Sequence, residues 1–374
     1  MAVTIKEVAE HAGVSVATVS RVVNRKGYVS QDLQKRVLAA IDALNYHPNN
    51  QHSQPRPKLT HRVGVLIPCY DHPMCGLLLR ALESVLTARG YQMLTVTVHD
   101  DEVREQAVVK GWLEHGIDGA IMVPGASREA AHHLMRHGLP VVLLEQDLPG
   151  VAFVSRVLSD DQQGAYAGAQ HLFELGHRHV TMLGPNHYSE AIVERVEGVL
   201  TAFHELGPEA GFNLPYVNCR LDYDHCYATA RRILTQAARP TAIFALDDVI
   251  AVSVLRAARD LELRVPEDLS VMGFGDAPMA AYMHPALTTV AIPVAALGES
   301  AAHVLLNHIH SSDPQLEQIV HTTQLVVRAS TGAPRCDQRR FEDNAIGNAF
   351  EGEFDETSSR SRTLTDDSRH KNVD

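Results

Sequence analysis

Residues 4–24, TIKEVAEHAGVSVATVSRVVN, carry side chains suited to reading DNA. Two helical apolar stripes flank a short Gly13-Val14-Ser15 turn, the spacing of a helix-turn-helix. From the second helix Val16, Ala17 and Arg21 project as base-reading candidates: arginine suits bidentate contact with guanine, and small apolar groups can meet a thymine methyl. Thr4, Ser15, Thr18, Ser20, Asn24 and Tyr28 are polar groups able to meet phosphate oxygens. On periodicity alone, a small helical dimerisation module is the alternative. Charge favours DNA: residues 1–62 hold nine Lys and Arg against four acids, net +5, whereas the whole chain is −12 and the remainder therefore −17.

Other chemistry is harder to find. There is no G-x-x-x-x-G-K-[ST], no G-x-S-x-G, no H-E-x-x-H and no G-x-G-x-x-G after a strand, so an enzyme would lack its constellation. Among 22 histidines, His133 and His137 fall at i, i+4 on an expected helix, but two ligands do not make a metal site, and they read as a solvated face. His177 and His179 read as the approach to a strand. Five cysteines (Cys69, Cys75, Cys219, Cys226, Cys336) form no C-x-x-C pair and read as free thiols, so no metal or cofactor is expected. No apolar run approaches the ~18 residues of a membrane helix, and the first residues lack a signal-peptide core, which predicts a cytoplasmic protein without a membrane partner.

The elements that must position these groups change character along the chain. Ile5, Val8, Ala9 and Ala12 make one helical stripe that Thr4 is placed to cap and Gly13 to end; Ser15 is placed to cap the next, which buries Val19, Val22 and Val23. A third helix after Ser30 turns Leu33, Val37, Ile41 and Leu44 inward and Asp32, Lys35, Arg36 and Asp42 outward. Residues 49–61 lose periodicity and contain Pro55 and Pro57, marking a linker. From Arg62 to about residue 331, apolar runs at 63–68, 93–98, 119–124, 141–145, 180–185, 242–247 and 269–274 alternate with helical stretches such as 77–89 and 249–263. This βα rhythm predicts parallel sheets in two Rossmann-like subdomains, with a cleft bordered by the loops after Pro68, Pro124, Glu145, Pro185, Asp247 and Phe274. Residues 332–374 are polar and charged and predict a disordered tail, Ile346, Phe350 and Phe354 being one weak stripe.

The chain resembles the LacI/GalR group of bacterial transcription regulators. The resemblance covers nearly all of residues 1–332: the opening segment and GYVSQDLQKRVLAAIDALNYHPN resemble the family's head, with further matches over 171–185, 239–276 and 284–306. It implies an N-terminal all-α helix-turn-helix head (1–48) and an α/β, periplasmic-binding-protein-like core (62–331). It also implies a homodimer on a pseudo-palindromic double-stranded operator, controlled by a small-molecule effector held between the subdomains. The expected function is a DNA-binding regulator of the repressor type; the alternative is a sugar-binding or other solute-binding protein whose head no longer reads DNA.

Residue by residue, the resemblance assigns the effector contacts Arg195, Asp247 and Glu145, and Asp71 lies on the first cleft loop. Regulators of this group often carry two consecutive acids where this chain has Gly275-Asp276, so only Asp276 is expected to contribute. Several carboxylates with one arginine suit a neutral polyhydroxyl ligand. Leu78, Leu79, Leu82, Val85 and Leu86 make a wide apolar surface on a helix that in the family helps form the dimer, and no C-terminal heptad predicts a tetramer. Pro55 stands where the family's hinge helix carries its wedging leucine, and proline in a helix interior costs about 3 kcal/mol or more, so no such hinge helix is expected here.

Overall fold

The computed structural model describes residues 5–24, 30–44, 59–97, 101–148, 150–151, 154–185, 189–206, 213–311 and 313–335. Thr4, Tyr28, Pro55, Pro57 and the expected tail beyond 335 lie outside them, as do the side chains of Ser20 and Asn24.

The N-terminal helices are α1 (Ile5–Ala12), α2 (Val16–Asn24) and α3 (Gln31–Leu44). Val8, Ala9, Ala12, Val19, Val22, Val37 and Ala40 bury together, with Val14 packed against them. Gly13 ends α1 at φ 62, a conformation that costs glycine nothing. Ser15 Oγ accepts the Thr18 amide at 3.1 Å and so caps α2. Arg36, expected to face solvent, is exposed but also donates through Nη2 to the Ala12 carbonyl at 2.7 Å, tying α3 to the open end of α1.

Two six-stranded sheets follow. The first has the order β11-β5-β4-β3-β1-β2, with β1 (Arg62–Ile67), β2 (Gln92–Thr97), β3 (Gly119–Met122), β4 (Val141–Leu144), β5 (Ser155–Ser159) and β11 (Gln318–His321), all parallel. The second runs β12-β10-β9-β8-β6-β7: β6 (Val180–Pro185), β7 (Tyr216–Cys219), β8 (Ala242–Ala245), β9 (Ser270–Gly275), β10 (Thr288–Ala291) and β12 (Gln324–Val326), with only β10–β12 antiparallel. Alternation along β1 sends Val63, Val65 and Ile67 to the face covered by α4 (Pro73–Ala88) and α11 (Val294–His310), and Leu66 to the face covered by α5 (Glu102–His115) and α6 (Arg128–Arg136). In the second sheet α9 (Tyr223–Leu234) and α10 (Asp248–Asp260) cover one face, and α7 (Asp161–Glu174) and α8 (Glu190–Leu206) the other.

The seven apolar runs read from the sequence all became strands. β5, β7, β10, β11 and β12 were not anticipated, because SRVLS, YVNC, TTVA, QIVH and QLV are short and mix polar with apolar residues. Three connections join the sheets: β5 to α7, β10 to α11, and β11 to β12 through Thr322 and Thr323. Asp160 on the first is bound to the third, its amide donating to the His321 carbonyl and its carbonyl accepting Thr323 Oγ1, both at 2.8 Å. The tail was expected from Gly332, yet Gly332 is still pinned: its amide donates to Ser270 Oγ at 3.0 Å and its carbonyl lies 2.9 Å from His177 Nε2.

Candidate effector cleft and DNA-reading surface

The cleft lies where strand ends of both sheets meet. Its cavity, about 280 Å³, is lined by Pro68, Cys69 and His72 of the loop after β1, Pro73 and Met74 at the start of α4, Glu145 after β4, Arg195 on α8, Asp247 after β8 and Phe274 in β9. Ile292, Val294 and Leu297 of the second connection line its apolar side. That volume sits at the small end of ligand sites, about 300–1,000 Å³, and suits a small ligand.

A buried polar chain organises one end. Arg195, 8% exposed, donates through Nε to Asp161 Oδ2 and through Nη1 to the Leu246 carbonyl, both at 2.7 Å, and its guanidinium lies 4.1 Å over the Phe274 ring. Ser159 Oγ lies 2.6 Å from Asp161 and 2.8 Å from Glu145. One hydroxyl proton can be donated to only one of these two carboxylates at a time. Burial, and next the Asp161 charge, push the Glu145 carboxyl up to about 7. Glu145 sits at φ 57 and accepts the Ser159 amide at 2.6 Å.

At the other side, Asp247 caps α10 by accepting the Val249 amide at 2.8 Å, and its second oxygen lies 3.1 Å from His72 Nε2 on the opposite sheet's loop. Its neighbour Asp248 is buried and accepts the Ala277 amide at 2.6 Å and the Thr289 hydroxyl at 2.7 Å; burial pushes it to about 6.

Of the five effector residues read from the sequence, Glu145, Arg195 and Asp247 line one cavity. Asp71 is exposed on the loop and does not line it. Asp276 is turned away: at φ 55 it pairs with Arg328 Nη2 at 2.7 Å. His72, Asp161 and Ser159 were missed. His72-Pro73 at the start of an expected helix was a usable signal for the first, since Pro73 opens α4 and His72 caps it by accepting the Met74 amide.

The apolar surface expected to mediate dimerisation is mostly internal. Leu78, Leu82 and Leu86 are buried with α11 and the first sheet, because a helix between sheet and second helix needs two apolar faces. Leu79 and Val85 are half-buried at the edge of that cluster. In the head, Val16 (40% exposed), Ala17 and Arg21 are on the surface of α2, whereas the Ser15 and Thr18 hydroxyls bind each other at 2.9 Å. His133 bonds Gln106 and His137 bonds the His133 carbonyl; among the described residues no group of three or more His, Cys, Asp or Glu could hold a metal ion. No described helix is long and apolar enough to cross a membrane.

A helix-turn-helix head on a two-sheet core with an interlobe cleft defines the class of ligand-responsive DNA-binding proteins. Profiles of known families agree: bacterial regulatory proteins of the lacI family match residues 4–49, and the periplasmic binding protein-like domain matches 169–331. The HTH-type transcriptional regulator DegA of Bacillus subtilis is 30% identical over 335 residues, 88% of this chain and 98% of its own. The repressor PurR of Erwinia tasmaniensis is 30% identical over 343 residues, 90% and 99%. The chain therefore belongs to the lacI family of bacterial regulatory proteins. Among solved structures, a LacI family regulator from Enterococcus faecium with bound ribose superposes with a TM-score of 0.67 at 26% identity, covering 73% of this chain and 99% of that one. The CelR–cellobiose complex superposes at 0.66 and 27% identity, covering 88% and 99%.

Proposed function

We propose that this protein is a transcriptional repressor that binds a pseudo-palindromic operator as a homodimer and is controlled by a small, neutral, hydroxyl-bearing ligand in the cleft. The observation that carries the ligand class is the charge balance at Arg195. Its guanidinium is already matched by Asp161 at 2.7 Å, with Asp247 and Glu145 alongside, so Arg195 has no unmatched charge to recruit an anion. What the cleft offers is carboxylate and hydroxyl acceptors and the remaining guanidinium donors, the pattern that suits alcohol groups. Ribose and cellobiose in the two related structures have that chemistry.

On the head, Val16, Ala17 and Arg21 are assigned to base edges, with Ser15, Thr18, Ser20, Asn24, Thr4 and Tyr28 toward phosphates. For the dimer surface, Leu79 and Val85 remain of the original five. The test is selection of the full-length protein on random duplex DNA at moderate salt, repeated with ribose and cellobiose. A motif of two inverted half-sites supports the dimeric repressor. Weak, salt-sensitive binding without a motif would overturn it in favour of a solute-binding protein with a silent head.

A further inference from the structure

Two cysteines outside the reading head sit in contact. Cys219 closes β7 and Cys226 lies in the first turns of α9; their sulfurs are 3.3 Å apart, at 1% and 0% exposure. Nothing in the cleft or head chemistry uses them. Between them, Arg220, Leu221, Tyr223, Asp224 and His225 are exposed, so the sulfurs lie beneath a single layer of surface loop. The Arg220 carbonyl accepts the Asp222 amide at 2.8 Å and lies 3.1 Å from Cys226 Sγ, and Leu221 lines the effector cleft.

We propose that Cys219 and Cys226 form a site of reversible oxidative modification, closing to an intramolecular disulfide under hydrogen peroxide. The sulfurs need only about 1.2 Å of approach to reach the ~2.05 Å of a disulfide. In the first step the Cys226 thiolate attacks one peroxide oxygen; the O–O bond breaks, Cys226 becomes a sulfenic acid, and hydroxide leaves. Cys219 then attacks that sulfur, the S–O bond breaks, and its thiol proton leaves with the hydroxyl group as water. Two thiols are oxidised and one peroxide is reduced to two waters. The hydrogen bond between the sulfurs keeps the two atoms in register, while burial opposes ionisation of both, so the first ionisation belongs to the pair. Cys69, half-exposed, has a comparable hydrogen bond from Cys75, but burial and the Asp71 carboxylate outweigh it and push its thiol up. Closing the ring removes the Cys226 contact with the Arg220 carbonyl, so the state of the pair bears directly on the loop that carries Leu221 into the cleft wall.

The test is mass spectrometry of the native full-length protein after peroxide and then alkylation of the remaining thiols. The expected result is a chain with two cysteines left unalkylated and a mass about 2 Da below that of the reduced chain carrying the same number of alkyl groups, two hydrogens per bond formed. Trypsin cuts after Arg195, Arg220 and Arg231, so the cross-link should hold peptides 196–220 and 221–231 together. The pair should be released by dithiothreitol and absent from Cys226→Ser. The Cys69→Ser variant should still form it, which keeps the test independent of the cleft cysteine. Oxidation of Cys69 while Cys219 and Cys226 remain alkylatable would overturn the proposal, as would a cross-link that forms only in denaturant.

Discussion

His72 and Asp247 join the two halves of the core directly, imidazole Nε2 to carboxylate Oδ2 at 3.1 Å, although 175 residues separate them in sequence. Each also caps a helix, α4 and α10, so the contact is held by two rigid elements on opposite sides of the cleft. Burial opposes charge on His72, but the Asp247 hydrogen bond and charge outweigh it and raise its pKa above 6.5, with Asp248 adding to the rise and Arg195 opposing it. A group raised in this way contributes below its unperturbed value and loses that contribution as pH climbs through the raised one. Protonation should therefore strengthen the Asp247 contact while giving up the Nδ1 cap on α4, which needs the bare nitrogen. By NMR the His72 imidazole should titrate above 6.5 in the wild type and lower in Asp247→Asn.

Arg195→Ala should do more than remove a ligand contact. It leaves Asp161, 1% exposed, without its partner, and breaking a buried pair this way costs about 3–5 kcal/mol. Urea denaturation should show that loss, and Asp161→Asn on the Arg195→Ala background should restore a large part of it. Neither variant should release operator in response to ligand. A ligand response retained in either would remove Arg195 from the cleft assignment.

Arg21 and Arg36 in the head should fail differently. Arg21→Ala should weaken operator binding by about 1–3 kcal/mol and relax preference at one base pair of each half-site, with the melting of the head unchanged. Arg36→Ala removes the donor from the Ala12 carbonyl and should cost about 1 kcal/mol of head stability instead. Circular dichroism melts beside operator titrations separate the two outcomes.

Gly198→Ala tests the packing beneath Arg195. A Cβ there would stand 2.2 Å from the Gln162 carbonyl oxygen on α7, a backbone atom that cannot swing aside. The expected loss is about 1–3 kcal/mol from overpacking, read as a lower melting temperature, with a weaker ligand response because α8 carries Arg195.

His177 predicts an acid limb. It is 1% exposed and bonded to Thr241, Ser270 and Gly332, and burial lowers its pKa to about 4. Between pH 6.5 and about 4 the unfolded chain binds a proton that the folded one does not, so stability falls with falling pH over that window, by roughly 3 kcal/mol in total. Glu145 and Glu194, both raised to about 7 chiefly by burial, act oppositely and lose their contribution as pH rises from about 4.5 through 7. Comparison with His177→Gln isolates the histidine: the difference between the two proteins in urea should shrink steadily as pH drops from 6.5 toward 4.

These residues show where sequence reading succeeds. Strands such as VVLL and AIFA are buried on both faces and announce themselves as continuous apolar runs. Edge strands such as QLV owe their state to a neighbour found only in three dimensions, and local pattern cannot reveal them. The same division holds in the cleft. Arg195, Asp247 and Glu145 were legible through resemblance, but Asp161 and Ser159 act through contacts with them, and Asp276 was drawn off by Arg328, whose position depends on the last strand. Leu78, Leu82 and Leu86 misled because an apolar stripe does not say whether its partner is another chain or α11.

The return of the chain across the cleft through Thr322 and Thr323 makes the fold intolerant of shortening at its C-terminal side. β11 is the outer strand of the first sheet and β12 of the second, so a product terminated after residue 316 would be one strand short in both halves at once. It would present the bare hydrogen-bonding edges of β5 and β10, two templates for pairing with other molecules, and it should accumulate as insoluble aggregate rather than as a weakened regulator. A protease nick in an exposed loop of the core, by contrast, would leave both pieces held together by the remaining connections.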